Sequence, residues 1–239
     1  MKMFVNCLCL ILMILFTSPV LASNYGERLC ASSPDYYCLK IKRGDSWDKL
    51  FPNAEDKDIV KRVNRTNREL SPGEIIGVPE NLSQLTIYDV SPFPRYIEPT
   101  GEKVIFVSQK ELAWGAYDAS GELKWWGPIS SGRDYCSDVG RGCSTPSGSY
   151  RMIRKQGPEC ISTVFPIRPN GDNGGAEMPY CMHYYRGYAL HGSFDVPGHR
   201  DSHGCVRLFI EDARWLNEEF IDLHGSGNRA TRLVIGGHE

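Results

Sequence analysis

The pattern of apolar and polar positions predicts a C-terminal half built from strands. Short runs rich in β-branched and aromatic residues, separated by Gly, Pro, Ser and Asp, are typical of an all-β sandwich or barrel. These runs are KVIFVS, ELAWGAY, ELKWWGPIS and GSYRMIRK. Near the end, IEDARWLNEEFIDL predicts one helix, which the strand TRLVIG follows. The apolar stripe of that helix consists of Ile210, Ala213, Trp215, Leu216 and Phe220.

Residues 37–79 follow a different pattern, which predicts a small unit with the order strand, helix, helix, strand. After the first extended stretch, Asp45 or Ser46 is placed to cap a short helix that Pro52 ends. A second helix has its apolar positions at helical spacing. A Pro-Gly turn then leads into a strand over residues 74–78. Between this unit and the strand-rich half, three prolines in residues 85–101 disfavour a helix and predict an extended connection.

Composition indicates a globular chain without a nucleic-acid partner. The 239 residues suffice for one ordinary domain and a small companion, and 41% of them are hydrophobic. The formal net charge of -2 comes from 27 basic and 29 acidic residues without a basic block that could neutralise a row of phosphates.

The first 22 residues read as a secretory signal peptide. One lysine precedes an apolar stretch, which a break at Pro19 interrupts, and small side chains suit cleavage after Ala22. The apolar run is shorter than the roughly 20 residues of a membrane span. An uncleaved anchor is the alternative. We therefore expect an exported protein without a transmembrane span after cleavage.

An odd number of cysteines implies that one of them has no disulfide partner. Removal of the signal peptide leaves seven cysteines. In an oxidising compartment nearby thiols pair, and closing short loops costs the least entropy. The economical pairing joins Cys30 with Cys38, Cys136 with Cys143, and Cys160 with Cys181, although sequence cannot rank the connectivities. Cys205 is then the unpaired thiol. Several disulfides favour the periplasm, with a secreted or wall-associated protein as second choice.

The segment DSHGCVRL gives Cys205 the surroundings of a nucleophile. If it is extended, His203, Cys205 and Arg207 point the same way, and cationic neighbours favour thiolate over thiol. The backbone N–H groups of Gly204 and Cys205 are candidates for an oxyanion hole. Upstream, His191 precedes a glycine- and proline-rich loop that could return the chain to Cys205. The residues alone do not choose between His191 and His203 as general base.

Three other roles for Cys205 compete with that of a nucleophile. A metal site could draw on His191, His199, His203 and Cys205, but their spacing matches no familiar ligand pattern, so we expect no metal or other cofactor. A buried inert cysteine fits a cationic, glycine-flanked setting poorly. A regulatory disulfide would need an unpaired partner, which parity does not supply.

The stretch YALHGSFDVPGHRDSHGCVRL resembles the L,D-transpeptidase catalytic domain. ISSGRD with STPSGSYRM, and MPYCMHYYRGYALHG, resemble further segments of that family, and the likeness spans about residues 100–236. The resemblance implies that Cys205 is the nucleophile, His191 the general base and His203 a supporting group. It further implies that Ser202 and Gly192 belong to the substrate-binding part of the site, where Ser202 gives support by hydrogen bonding. Arg207 would hold a substrate carboxylate or fix the loop.

The same resemblance implies an activity on peptidoglycan. Cys205 would form a thioester with a stem peptide, release D-alanine and form 3→3 cross-links, and a carbapenem would be a covalent inhibitor. A carboxypeptidase or amidase, a lipoprotein-anchoring enzyme and a non-catalytic peptidoglycan-binding protein are the alternatives. The four cysteines at 136, 143, 160 and 181 are expected either to staple the loops around the cleft or only to stabilise the fold.

KRGDSW and LSPGEIIGVP in the N-terminal unit resemble a lysin motif (LysM), a small α+β module that binds glycan strands; a spacer or a module docked on its neighbour is the alternative. The predicted organisation is thus a signal peptide (1–22), a LysM-like module (23–84), a linker (85–101) and a mainly β, sandwich- or barrel-like catalytic domain with one C-terminal helix (102–239).

Overall fold

A computed structural model describes residues 24–168, 170–225, 227 and 229–238. The predicted signal peptide lies outside the described residues and stays a prediction. Within the described part of the chain, the helices are all too short or too polar to cross a membrane.

The N-terminal module, taken as residues 24–84, contains the predicted strand–helix–helix–strand order. Ser46 and Asn53 cap its two central helices by accepting hydrogen bonds from first-turn N–H groups. An additional helix, which the pattern did not predict, begins after Asn24 and is tied to the first strand by the Cys30–Cys38 disulfide. Its elements are α1 (Tyr25–Ser32), β1 (Tyr36–Lys40), α2 (Trp47–Leu50), α3 (Ala54–Val63), β2 (Ile75–Pro79) and a 3-10 turn (Leu82–Gln84). The resemblance to a lysin motif remains a prediction.

The C-terminal domain, taken as residues 102–238, is built on one nine-stranded sheet, as a mainly β fold requires. The order is β8-β13-β3-β4-β5-β12-β11-β10-β9, with parallel pairing only in β3–β13 and β11–β12. A small hairpin of β6 and β7 lies outside it. The strands are β3 (Val104–Ser108), β4 (Ala113–Tyr117), β5 (Leu123–Ser130), β6 (Tyr135–Cys136), β7 (Arg141–Gly142), β8 (Gly148–Arg151), β9 (Arg154–Lys155), β10 (Met182–Tyr185), β11 (Tyr188–Gly192), β12 (Val206–Leu208) and β13 (Arg232–Gly236).

The segment GSYRMIRK curls this sheet. The pattern predicted one strand there, but the structure has two, β8 and β9, which stand at opposite ends of the strand order. Between them, Met152 N–H donates to Thr231 and Ile153 N–H donates to the carbonyl of His183. Because only two residues separate β8 from β9, the ends of the sheet must approach each other, which gives the barrel-like shape.

The predicted C-terminal helix packs on the strands that carry the SHGC segment. It runs as α4 (Ile210–Trp215) and continues as a π-helical turn (Leu216–Phe220). Ala213, Leu216 and Phe220 join the main core with Leu190 and Leu208. The linker region packs against a second cluster through side chains that include Phe93 and Ile97, so it covers part of the sheet.

The disulfide pairing predicted from short loop closures is confirmed. Cys30–Cys38, Cys136–Cys143 and Cys160–Cys181 are bonded. Among the described cysteines, Cys205 is left as a free thiol.

A buried ion pair joins the module to the C-terminal domain. The Arg62 guanidinium, on α3, contacts both carboxylate oxygens of Asp212, at 3.0 Å and 2.8 Å. It also donates to the carbonyl of Trp126 and lies over the Trp125 ring. Although burial opposes its charge, the carboxylates of Asp212 and Asp58 raise the pKa of Arg62 above its ordinary value. The module is therefore docked on its neighbour in this structure.

Replacing Arg62 alone should destabilise the chain strongly. Arg62→Met leaves the Asp212 carboxylate buried without its cation, which costs about 3–5 kcal/mol. The double variant Arg62→Met/Asp212→Leu, which leaves no uncompensated charge, should recover part of that loss. Urea unfolding of the full chain measures both, with Arg43→Met at an exposed module position as the control. Equal losses in the single and double variants would contradict this account.

Candidate active site

Strand pairing places Cys205 and His191 on one face of the sheet. The neighbouring strands β11 and β12 are parallel, with Leu190 opposite Val206 and His191 opposite Arg207. Leu190 and Val206 are fully buried in the main core. Because side chains alternate along a strand, His191 and Arg207 point to the opposite face. Cys205 directly precedes β12 and packs against a cluster that contains Ala189, which shares that face of β11.

His191 is held as a neutral imidazole with one nitrogen assigned. Its Nδ1 lies 2.9 Å from the carbonyl oxygen of Gly192, which can only accept, so Nδ1 carries the proton and Nε2 is left as the acceptor. Burial lowers the pKa of His191 to about 4. Gly192 itself is buried, and its N–H donates to Pro179. The structure thus gives Gly192 a role in orienting His191, and its contact with substrate stays a prediction.

The surroundings of Cys205 are apolar, which corrects the expectation of a ready thiolate. Its side chain packs against a cluster that contains Ala189, Met178 and the Cys160–Cys181 disulfide. Burial raises the pKa of the Cys205 thiol, and the opposing influence of Arg207 is smaller. The resting group is therefore a thiol, which needs a base when it attacks.

The His203 side chain points to a different part of the site from the one that the alternation in DSHGCVRL predicted. Its Nε2 lies 2.6 Å from a carboxylate oxygen of Asp138, and its ring stacks on Phe165 with 4.6 Å between centroids. The hydrogen bond from His203 lowers the pKa of the Asp138 carboxyl. Because its ring contacts Asp138 and Phe165, which lie on other loops than the strands that carry His191, His203 is the weaker candidate for the base.

Ser202 and Thr145 fix the peptide that precedes the thiol. The Ser202 hydroxyl donates to the carbonyl of Cys205 and accepts the N–H of Gly204 at 3.0 Å. The Thr145 hydroxyl donates to the Gly204 carbonyl at 2.7 Å and accepts from Gly132 N–H. The Gly204 N–H is already engaged, so it is not free for the oxyanion hole predicted from the sequence.

Gly204 is required by the conformation and by the close approach of an aromatic ring. Its φ of +123° lies in the region that side chains disfavour. A Cβ at this position would lie 2.6 Å from Cε1 of Tyr188. The glycine therefore lets β11 and the SHGC segment approach each other.

Arg207 takes the second of its two predicted roles and fixes the loop. Its guanidinium lies 2.9 Å from a carboxylate oxygen of Asp195 and 3.5 Å from one of Asp201. Both acidic residues belong to the segment 193–205 that joins β11 to β12, called here the connecting loop. These contacts, both through Nη1, favour the role of fixing the loop, and the role with a substrate carboxylate stays a prediction.

Two disulfides lie at the edges of this site. Cys136 Sγ lies 4.0 Å from the carbonyl oxygen of Ser202, and Cys160–Cys181 closes the segment that carries Phe165. These positions favour the expectation that the staples shape the cleft.

The four residues considered for a metal site do not converge. In the described chain, Cys136, Asp138 and His203 do cluster, but Cys136 is bonded to Cys143.

The sequence of this domain matches a known family. Residues 102–220 match the family model of the L,D-transpeptidase catalytic domain. Over these residues, just under half of the chain, the sequence is similar to that family. No curated protein matches the chain in sequence.

Solved structures of L,D-transpeptidases resemble the fold of this chain. An L,D-transpeptidase from Xylanimonas cellulosilytica has a TM-score of 0.50 and 18% identity, covering 75% of this chain and 78% of that chain. One from Mycobacterium smegmatis has a TM-score of 0.45 and 15% identity over 57% and 59% of the two chains. L,D-transpeptidase 3 from Mycobacterium tuberculosis, in complex with a faropenem-derived adduct, has a TM-score of 0.43 and 17% identity, covering 71% of this chain and 76% of that chain.

The C-terminal domain contains a further histidine that the sequence analysis missed. His183 lies opposite Ala189 in the β10–β11 pair and therefore shares the face of His191. It is buried, its Nδ1 has no hydrogen-bond partner in the described structure, and burial lowers its pKa to about 4. Alternation along MPYCMHYY could have indicated it. Asp138, Asp195 and Phe165 carried no comparable signal, because their positions depend on loop conformations.

These two buried histidines should make the stability of the chain fall in mild acid. In the unfolded chain an imidazole takes up a proton near pH 6.5, but His183 and His191 do so only near pH 4. The free energy of unfolding therefore decreases as pH falls through this window, by about 2 kcal/mol for each histidine between pH 7 and pH 5.

Urea unfolding at the two pH values tests this dependence. His183→Asn should remove about half of the decrease, whereas the exposed His224→Asn should leave it unchanged. A decrease that His183→Asn does not alter would show that other groups cause it.

Proposed function

We propose that the chain is an acyltransferase that acts on peptidoglycan stem peptides through a thioester at Cys205. The observation that carries this proposal is the position of Cys205 and His191 on one face, with the Nδ1 proton of His191 fixed by Gly192. The L,D-transpeptidase family of the domain supports the substrate class.

In the proposed acylation, His191 Nε2 takes the thiol proton while Cys205 Sγ attacks the carbonyl that joins the third stem residue to D-alanine. A neutral base near an un-ionised thiol suits this step, because charge develops only as substrate reacts. Of the donors predicted for the oxyanion, Cys205 N–H remains once Ser202 engages Gly204 N–H. The C–N bond breaks, the leaving nitrogen receives the proton from His191, and D-alanine departs.

In the proposed transfer, an amine of a neighbouring stem attacks the thioester. Its proton passes to the sulfur through His191, a new amide forms and the thiol is restored, giving a 3→3 cross-link. The apolar packing around Cys205 supports aminolysis over hydrolysis because it limits water at the sulfur.

We also propose that the protein works outside the cytoplasm, in the periplasm. Three short-loop disulfides support an oxidising compartment.

Incubation of the purified chain with a tetrapeptide muropeptide tests the reaction directly. We expect a cross-linked dimer that has lost one D-alanine, identified by mass spectrometry. Tripeptide without dimer would indicate hydrolysis and contradict the proposed acceptor. The absence of both products would contradict the proposed enzyme.

Substitutions should separate the roles of the two histidines. Cys205→Ala should abolish the carbapenem adduct, which mass spectrometry detects. His191→Ala should slow adduct formation at least ~100-fold, the contribution of a general base, whereas His203→Ala should slow it about tenfold or less. His224→Asn is the matched control at an exposed histidine. A larger loss in His203→Ala than in His191→Ala would reverse the assignment.

A further inference from the structure

The end of helix α3 is bonded to the connecting loop of the active site. Arg65, with φ +56°, turns the chain after α3, so that Thr66 forms a bridge with Pro197. Gly198 passes so close that a Cβ there would lie 3.1 Å from the Asn64 carbonyl oxygen. The turn thus places residues 66–68 of the module along the connecting loop.

Asn67 supports the backbone of that loop with three hydrogen bonds. Its backbone N–H donates to the Val196 carbonyl, and its side-chain amide donates to the Ser193 carbonyl at 2.7 Å. Its side-chain oxygen accepts the N–H of Val196 at 2.9 Å. One module residue therefore fixes both ends of the segment 193–196.

Arg68 binds the carboxylate that also binds Arg207. Its Nε contacts one oxygen of Asp195, and Arg207 contacts the other. The hydrogen bond from Arg68 is the leading cause that lowers the pKa of Asp195. Asp201 lies 3.7 Å from Arg68 and 3.5 Å from Arg207. A continuous chain of contacts thus leads from the module to a side chain on the face of Cys205.

We infer that Asn67 and Arg68 are positioning residues for the reaction, because they hold Asp195 where it fixes Arg207 beside the nucleophile. The module is then a part of the catalytic unit, whatever it binds. The catalytic part of this inference rests on the proposed function.

The inference follows from how the connecting loop is built. Parallel strands need a long connection, usually a packed helix, but the described part of this loop contains no helix. Without the module, the segment 193–196 would lose the three bonds to Asn67, and Asp195 would lose one of its cations. Burial raises the pKa of Cys205 and the charge of Arg207 opposes that rise, so a displaced Arg207 leaves a less reactive thiol.

The test compares two rates in the full chain: alkylation of Cys205 by iodoacetamide and acylation by imipenem. Asn67→Ala and Arg68→Ala should slow alkylation about threefold and acylation about tenfold, since small displacements at a reacting centre reduce rates strongly. The fraction of Cys205 that reacts should stay as in the parent chain. Arg68→Lys should recover part of both rates, and Arg43→Ala, at an exposed module position, should change neither.

A double-mutant cycle shows whether Arg68 acts through Asp195. Asp195→Asn should be slow by itself, and Arg68→Ala/Asp195→Asn should be no slower than the slower single variant, because both remove the same contact. Additive losses would overturn this route.

Unchanged rate constants with a smaller reacting fraction would show a purely architectural module and overturn the inference. If imipenem does not acylate the parent chain, the proposed function fails, while the alkylation rates still decide the role of Asn67 and Arg68.

Discussion

The parallel pairing of β11 with β12 is the constraint on which the site depends. It brings His191 and Cys205, which are separated along the chain, to one face of the sheet while Leu190 and Val206 fill the core on the other. Adjacent parallel strands cannot be joined by a tight turn. The connecting loop must therefore take a long path, and its conformation is fixed by contacts from outside it, with Arg207 on one side and the module on the other.

Burial of this face determines the charge state of the resting site. The same removal from water that raises the pKa of the Cys205 thiol lowers the pKa of His191, so both groups are neutral before substrate arrives. In the proposed reaction, proton transfer from Cys205 to His191 therefore accompanies bond formation.

Local patterns in the sequence predicted much of the fold and only part of the site. The strand-rich half, the C-terminal helix and the disulfides follow from periodicity and short loop closure, both of which are local. The ionisation of Cys205 could not be predicted, because flanking His203 and Arg207 indicate cations while the burial comes from distant residues such as Met178. Likewise, nothing near Arg207 in sequence reveals that Asp195 is its partner in the folded chain. The division of GSYRMIRK into β8 and β9 depends on sheet closure, which no local pattern encodes.

The length of the disulfide-closed segment between β9 and β10 can vary without changing the strand pairing elsewhere in the sheet. These two strands pair with each other at the edge of the sheet, so an insertion between them shifts no other register. The segment nevertheless carries Phe165 onto His203. Evolution could therefore remodel the surroundings of His203, and with them the acyl acceptor of the proposed reaction, without changing the strands next to Cys205 and His191.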